Sequence, residues 1–318
     1  MSIVTVIIKK GGPGSGHFRH EGRPGLVGGA LPDKGASISK FIPGSAPTHE
    51  DSANFGLIDR KFIDHFVISE KGKNKMLEDV QQKVANSQLS TSDKEIALRN
   101  MNDYYEDDIW FLKAQTAAYL AADTNIEYKK VNDMIGQWAF SANDSNVDSL
   151  RSQQAVDEEF GLDVELSDWQ KEKLGTIEGS GDLTMDQRKD IVRSMYERTQ
   201  KDLADAGYKP DDSVILYRGM QHNDFFGDRG DITRYEGNAM ESWTFDYDTA
   251  KEFGDGLIGI EDTKYGYVLE MKVPIKNILS TPRTGYGCYD VEEVVIFGSI
   301  PESRVRIRKK YDFRMLED

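Results

Sequence analysis

Five side chains in the second half of this 318-residue chain could, if brought together, break a glycosidic bond. Arg218 and Gly219 close the apolar run Ser213-Val-Ile-Leu-Tyr-Arg-Gly-Met220, and Ser242 and Thr244 alternate within Met240-Glu-Ser-Trp-Thr-Phe245. Glu292 and Glu293 stand at the mouth of Val294-Val-Ile-Phe297. Cleaving a glycosidic bond develops positive charge on the sugar carbon. An arginine at a strand end can grip a pyrophosphate, because its planar fork binds phosphate oxygens bidentately. Alternate strand residues share a face, so Ser242 and Thr244 can together hold a ribose and orient a carboxylate. A glutamate can stabilise the cation by fixed charge. The same alternation puts Glu292 and Glu293 on opposite faces, so one of the two would serve. Each piece alone has a plain structural explanation: a strand-end arginine, a strand around a buried tryptophan, two solvent-facing acids at a strand start. Their order along the chain makes the combination more specific.

The elements that must position these residues read as α+β, with helices first and strands from about residue 213. Three regions are expected: an opening strand and flexible glycine-rich arm over 1–58, a helical region over 59–146 and a catalytic domain over 147–318. Met1–Ile8 reads as a strand, and the glycines that follow it bury too little apolar surface to order the backbone. Gly14-Ser-Gly16 has neither the third glycine nor the following helix of a dinucleotide fingerprint. His17 and His20 have ligand-like spacing without a completing cluster. Helical periodicity begins with Phe62, Ile63, Phe66 and Val67, then Met76, Val80 and Val84. A capping box at Ser92-Asp-Lys-Glu95 predicts one helix running through Ile96, Met101 and Ile109 toward Leu120, with Tyr104, Tyr105, Trp110 and Phe111 as packing. A helix over 126–140, a polar break at 141–146 and helices near 149–160 and 167–174 come next. A second box, Thr184-Met-Asp-Gln187, opens a helix that Gly207 should stop.

A net charge of −15 argues against nucleic-acid or anionic-membrane surfaces, which need clustered Lys and Arg. The basic run Arg304–Lys310 reads as a solvated face or last strand. The single cysteine, Cys288, excludes an internal disulfide framework and fits a reducing cytoplasm. No apolar run is long enough to span a bilayer, and Met1–Ile8 is too short for a secretory core and is followed by its lysines. No membrane partner and no exported state is expected.

Tyr217-Arg218-Gly219, then Ser242-Trp243-Thr244 with a helix carrying Ala250 and Phe253, then Glu292-Glu293 before Val294-Val-Ile296 resemble the Arg-Ser-Glu class of mono-ADP-ribosyltransferases, over roughly residues 150–310. The stretch Gly14-Ser-Gly-His-Phe-Arg-His-Glu-Gly-Arg-Pro-Gly-Leu-Val-Gly-Gly29 resembles a segment of tailed-phage head-associated proteins, some of which carry this transferase domain. The resemblance implies a mixed, two-sheet catalytic domain that uses NAD as substrate and needs no metal. It makes Arg218, with Gly219, the NAD anchor, and Ser242 and Thr244 the supports of ribose and carboxylate. It makes Glu293 the catalytic glutamate. Arginine-modifying members usually carry Glu or Gln two positions earlier, where this chain has Val291. A one-residue slip would make Glu292 catalytic and bring Asp290 to that place. The loop Thr284–Tyr289 would face substrate, with Tyr286 or Tyr289 either stacking on the nicotinamide or packing. The implied partners are NAD, an acceptor such as a host protein, and phage head proteins; the implied location is the host cytoplasm or the virion. Two other readings are a head-morphogenesis protein with an inactive transferase-like domain and an NAD glycohydrolase using the same site. An acidic mimic of nucleic acid fits poorly, because Lys and Arg are interspersed throughout.

Overall fold

The computed structural model describes residues 40–42, 60–66, 68–140, 147–164, 168–176, 183–255, 263–287, 292–298 and 304–316. Its strands are β1 (Lys40–Ile42), β2 (Ser213–His222), β3 (Ile232–Glu236), β4 (Met240–Thr244), β5 (Tyr265–Pro274), β6 (Ile278–Ser280), β7 (Glu293–Phe297) and β8 (Arg304–Asp312). They form one sheet in the order β1-β3-β8-β5-β2-β4-β7-β6, and every neighbouring pair is antiparallel. The expected α+β class holds, but the expected mixed pair of sheets does not. The reason lies at one seam: β2 and β4 pair only at Tyr217↔Thr244, which suffices to join the two groups of strands into a continuous ladder. Inward residues of both groups then meet in one apolar cluster, Leu216, Leu269 and Val305 from one side and Trp243, Val294 and Ile296 from the other. The opening strand, the glycine-rich arm with His17 and His20, and Cys288–Val291 lie outside the described residues.

Helices α1 (Arg60–Phe66), α2 (Glu70–Asn86), α3 (Thr91–Asp103), α4 (Asp108–Thr124), α5 (Tyr128–Phe140), α6 (Val147–Phe160), α7 (Asp168–Thr176) and α8 (Met185–Asp205) precede β2, and α9 (Tyr247–Gly254) follows β4. The box at Thr184 forms as read: Gln187 N–H donates to Thr184 Oγ1 at 3.2 Å, and Thr184 N–H donates to Gln187 Oε1 at 3.0 Å. Gly207, at φ +90°, ends α8, with Gly207 N–H on Ala204 O and Tyr208 N–H on Leu203 O closing the turn. The single helix expected from Ser92 is instead two. Ser90 caps α3 by accepting from Asp93 N–H, and the chain breaks at Tyr104–Asp107. Asp107 then caps α4, its carboxylate accepting from Ile109 and Trp110 N–H, so a new helix starts where the first one ends. None of the helices among the described residues is long and apolar enough to cross a membrane.

The helical layer and the sheet share a core. Val80, Met101, Leu120, Val131 and Trp138 from the helices cluster with Met240, Leu279, Val295 and Phe297 from the strands. Apolar packing therefore runs across the expected boundary near residue 146. Helix α1 plugs the second cluster, where Phe62 and Phe66 meet Phe245 and Tyr208 with ring centroids 5.3–6.1 Å apart. Helix α9 sits on the outer face of β2 and β5 with almost nothing between backbones. A Cβ on Gly219 would lie 1.9 Å from Ala250 O, and one on Gly266 would lie 1.8 Å from Gly254 O. Because the obstacle is backbone rather than a flexible side chain, Gly266→Ala is expected to cost about 3 kcal/mol or more. Urea unfolding would measure it, and a loss below 1 kcal/mol would mean that α9 lifts off the sheet easily.

Candidate active site

The seam between β2 and β4 opens into a cleft of about 410 Å³. Tyr217, Arg218 and Gly219 from β2, Ser242, Trp243 and Thr244 from β4, Thr249, Ala250 and Phe253 from α9, and Glu293 from β7 line it. Residues distant in sequence thus converge where the ladder stops. With one residue pair joining β2 and β4, Arg218 supplies a further connection. Its Nη1 donates to the carbonyl of Ser242 at 3.1 Å and lies 3.3 Å from the carboxylate of Glu241. Both side chains of this ion pair are buried, and Glu241 Oε1 also accepts from Asn238 N–H at 3.2 Å. A buried carboxylate needs such donors to offset its lost hydration.

Glu293 is 3% exposed, and two donors converge on its Oε1. The Ser242 hydroxyl donates across the β4–β7 pair, where Ser242 sits opposite Val295 and next to the Thr244↔Glu293 pairing. The Trp138 indole N–H, from α5, donates at 3.3 Å. Tyr286 lies against Trp138, with ring centroids 5.3 Å apart and the planes tilted by 38°. Thr244 lines the cleft, but its hydroxyl accepts from Asp246 N–H at 3.0 Å and shapes the turn into α9, which Asp246 caps. Of the two strand hydroxyls, the one bonded to the carboxylate is Ser242.

Glu292 does not line the cleft. It takes a left-handed conformation at φ +51°, half-buried, and burial with the nearby Asp246 charge pushes its carboxyl upward. The turn therefore sends the two glutamates to different surroundings, and Glu293 is the one that meets Ser242. Tyr286 is wholly buried, its hydroxyl pushed up to about 12 by burial, so it packs and does not stack in the cleft. The described part of the loop that was expected to face substrate, Thr284–Gly287, is buried as well. Thr284 Oγ1 lies 2.7 Å from Thr199 Oγ1, and Gln115 donates to Arg283 O at 2.8 Å, both contacts to helices. Tyr289 and Asp290 lie outside the described residues. Sequence reasoning missed two site residues. Glu241 was signalled only as an acid inside a short strand, and Trp138 carried no local signal.

The chain matches no protein-family model, no curated protein and no solved structure, so the chemistry of this cleft is read from its geometry.

Next to the cleft, Tyr217 pairs in register with Glu270 of β5, and Glu270 pairs with Arg306 of β8. Burial raises the Glu270 carboxyl above its ordinary 4.5, although Arg308 at 3.2 Å, Arg306 at 3.8 Å and the Tyr217 hydroxyl oppose the shift. The folded protein then keeps this proton at pH values where the unfolded chain has lost it. Stability from this group is present below the unfolded value and is lost as pH rises through the folded one. Glu270→Gln is expected to raise Tm relative to wild type near neutral pH, with the gain vanishing below pH about 4. Thermal unfolding at both pH values would check this, and a pH-independent difference would contradict it.

Proposed function

We propose that this chain is a mono-ADP-ribosyltransferase that cleaves NAD between nicotinamide and ribose and passes ADP-ribose to an acceptor, a host protein being the favoured class. The reading is carried by one observation. Glu293 accepts a hydrogen bond from the Ser242 hydroxyl in the same cleft where Arg218 holds the Ser242 carbonyl. A guanidinium, a hydroxyl and a carboxylate thus meet on one short stretch of β4. Ala250 and Phe253 give part of the cleft lining an apolar character.

In this mechanism the C–N bond breaks with its electron pair leaving on nicotinamide, and the ribose carbon becomes cationic. Glu293 stabilises that cation by charge already fixed before the reaction, so no reorganisation is needed as the charge develops. Ser242 fixes the carboxylate rotamer. Arg218 orients the pyrophosphate, and the nucleophile of the acceptor then bonds to the ribose carbon and loses its proton. Positioning supplies much of the remaining acceleration.

Purified protein incubated with labelled NAD and host lysate tests the reading. Label on macromolecules supports transfer, and free ADP-ribose would make the chain an NAD glycohydrolase. Neither product would leave a structural role in a phage head as the better account. Glu293→Gln is expected to lower the rate by at least about 100-fold with little change in Tm, whereas Glu292→Gln leaves it within a few-fold. The reverse result would move catalysis to Glu292. Arg218→Lys is expected to weaken NAD binding by about tenfold or more, because a point charge cannot replace the fork. Equal affinity in a titration would remove the anchor role.

A further inference from the structure

We infer that the helical layer supplies part of the reaction centre: Trp138 of α5 is a positioning residue that acts through Glu293. The inference rests on the function proposed above and extends it to a region outside the residues that suggested it. Glu293 is nearly inaccessible to water and stands beside the apolar Val294 and Val295. A carboxylate in such surroundings keeps its charge and its direction only through hydrogen bonds that replace hydration. Ser242 comes from the neighbouring strand. Trp138 lies 155 positions before Glu293 and reaches it from the helical layer at 3.3 Å. Indole N–H can only donate, so its part in this bond is unambiguous.

The ring is held so that it cannot turn away. Trp138 is 1% exposed, and Tyr286 lies against it. Tyr286 is pinned in turn, its carbonyl accepting from the Ser280 hydroxyl at 3.0 Å and its N–H lying 3.4 Å from the Met195 sulfur. Helices α5 and α8 and the strand end at Ser280 therefore combine to aim one N–H at Oε1. Two donors on one oxygen, one from the neighbouring strand and one from the helical layer, restrict the rotamer of the carboxylate. A site left without such support is typically too loose to be productive.

The test uses the full-length chain and nicotinamide release from NAD. Trp138→Phe keeps an aromatic ring and removes the donor. It is expected to lower kcat about tenfold while KM for NAD stays within about twofold, since the variant lacks one hydrogen bond that aims the carboxylate and keeps the groups that would hold the dinucleotide. Built into Glu293→Gln, the same change is expected to have little further effect, because residues that act as a unit are non-additive. An equal loss in both backgrounds would show that Trp138 is merely structural, and an unchanged kcat in the single variant would overturn the inference while leaving the proposed function standing. Should Trp138→Phe unfold, Trp138→His, which offers another ring N–H, is expected to retain more activity than Trp138→Leu at matched Tm, and equal activity would count against the bond. A wild-type chain that releases no nicotinamide would defeat the proposed function first, and this inference with it.

Discussion

A single side chain compensates for the place where the sheet nearly comes apart. After Tyr217↔Thr244 the ladder between β2 and β4 ends, and Arg218 takes over by donating to Ser242 O while paired with the buried Glu241. Breaking a buried pair leaves an unmatched charge, which costs about 3–5 kcal/mol, so both partners are constrained. The cleft exists because the strands diverge, and it keeps its shape because a guanidinium spans the divergence. Structure and chemistry thus ask the same group to do two things. Its guanidinium holds the seam and also lines the cleft.

The second constraint is the cost of placing Glu293 among apolar neighbours. The neighbouring strand offers one donor through Ser242, and the helices provide the other through Trp138. The shared core explains how so distant a donor can be accurate. Trp138, Met195 and Val295 belong to one cluster, so α5 and α8 cannot shift without repacking β7. The polar network around Arg283, where its Nη1 donates to His65 O at 2.7 Å and its carbonyl accepts from Gln115, ties α1 and α4 to the loop before β7. The helical layer behaves as a fixed wall of the site.

What the sequence revealed and what it hid follow from the range of the interactions. The cap at Thr184 and the stop at Gly207 are bonds between residues a few positions apart, and they form as read. The start of α3 is also local but degenerate. Ser90 and Ser92 are each followed three residues later by an acid, and the chain uses Ser90. The break before Asp107 was hidden by an apolar period that continues through it. Glu292 and Glu293 part through a left-handed turn at Glu292, ahead of the strand, and not through strand alternation. Alternation put Ser242 on one face with Thr244, but it could not say that Thr244 would spend its hydroxyl on Asp246 N–H. The Trp138 bond and the lone Tyr217–Thr244 bridge depend on how whole elements stack, and no short window encodes that.

Gly219, Gly254 and Gly266 bring α9 down onto β2 and β5 until carbonyl oxygens fill the space that side chains normally occupy. The distance between α9 and the sheet is therefore set by backbone against backbone, and this bank of the cleft cannot move closer or be padded by a larger residue at those glycines.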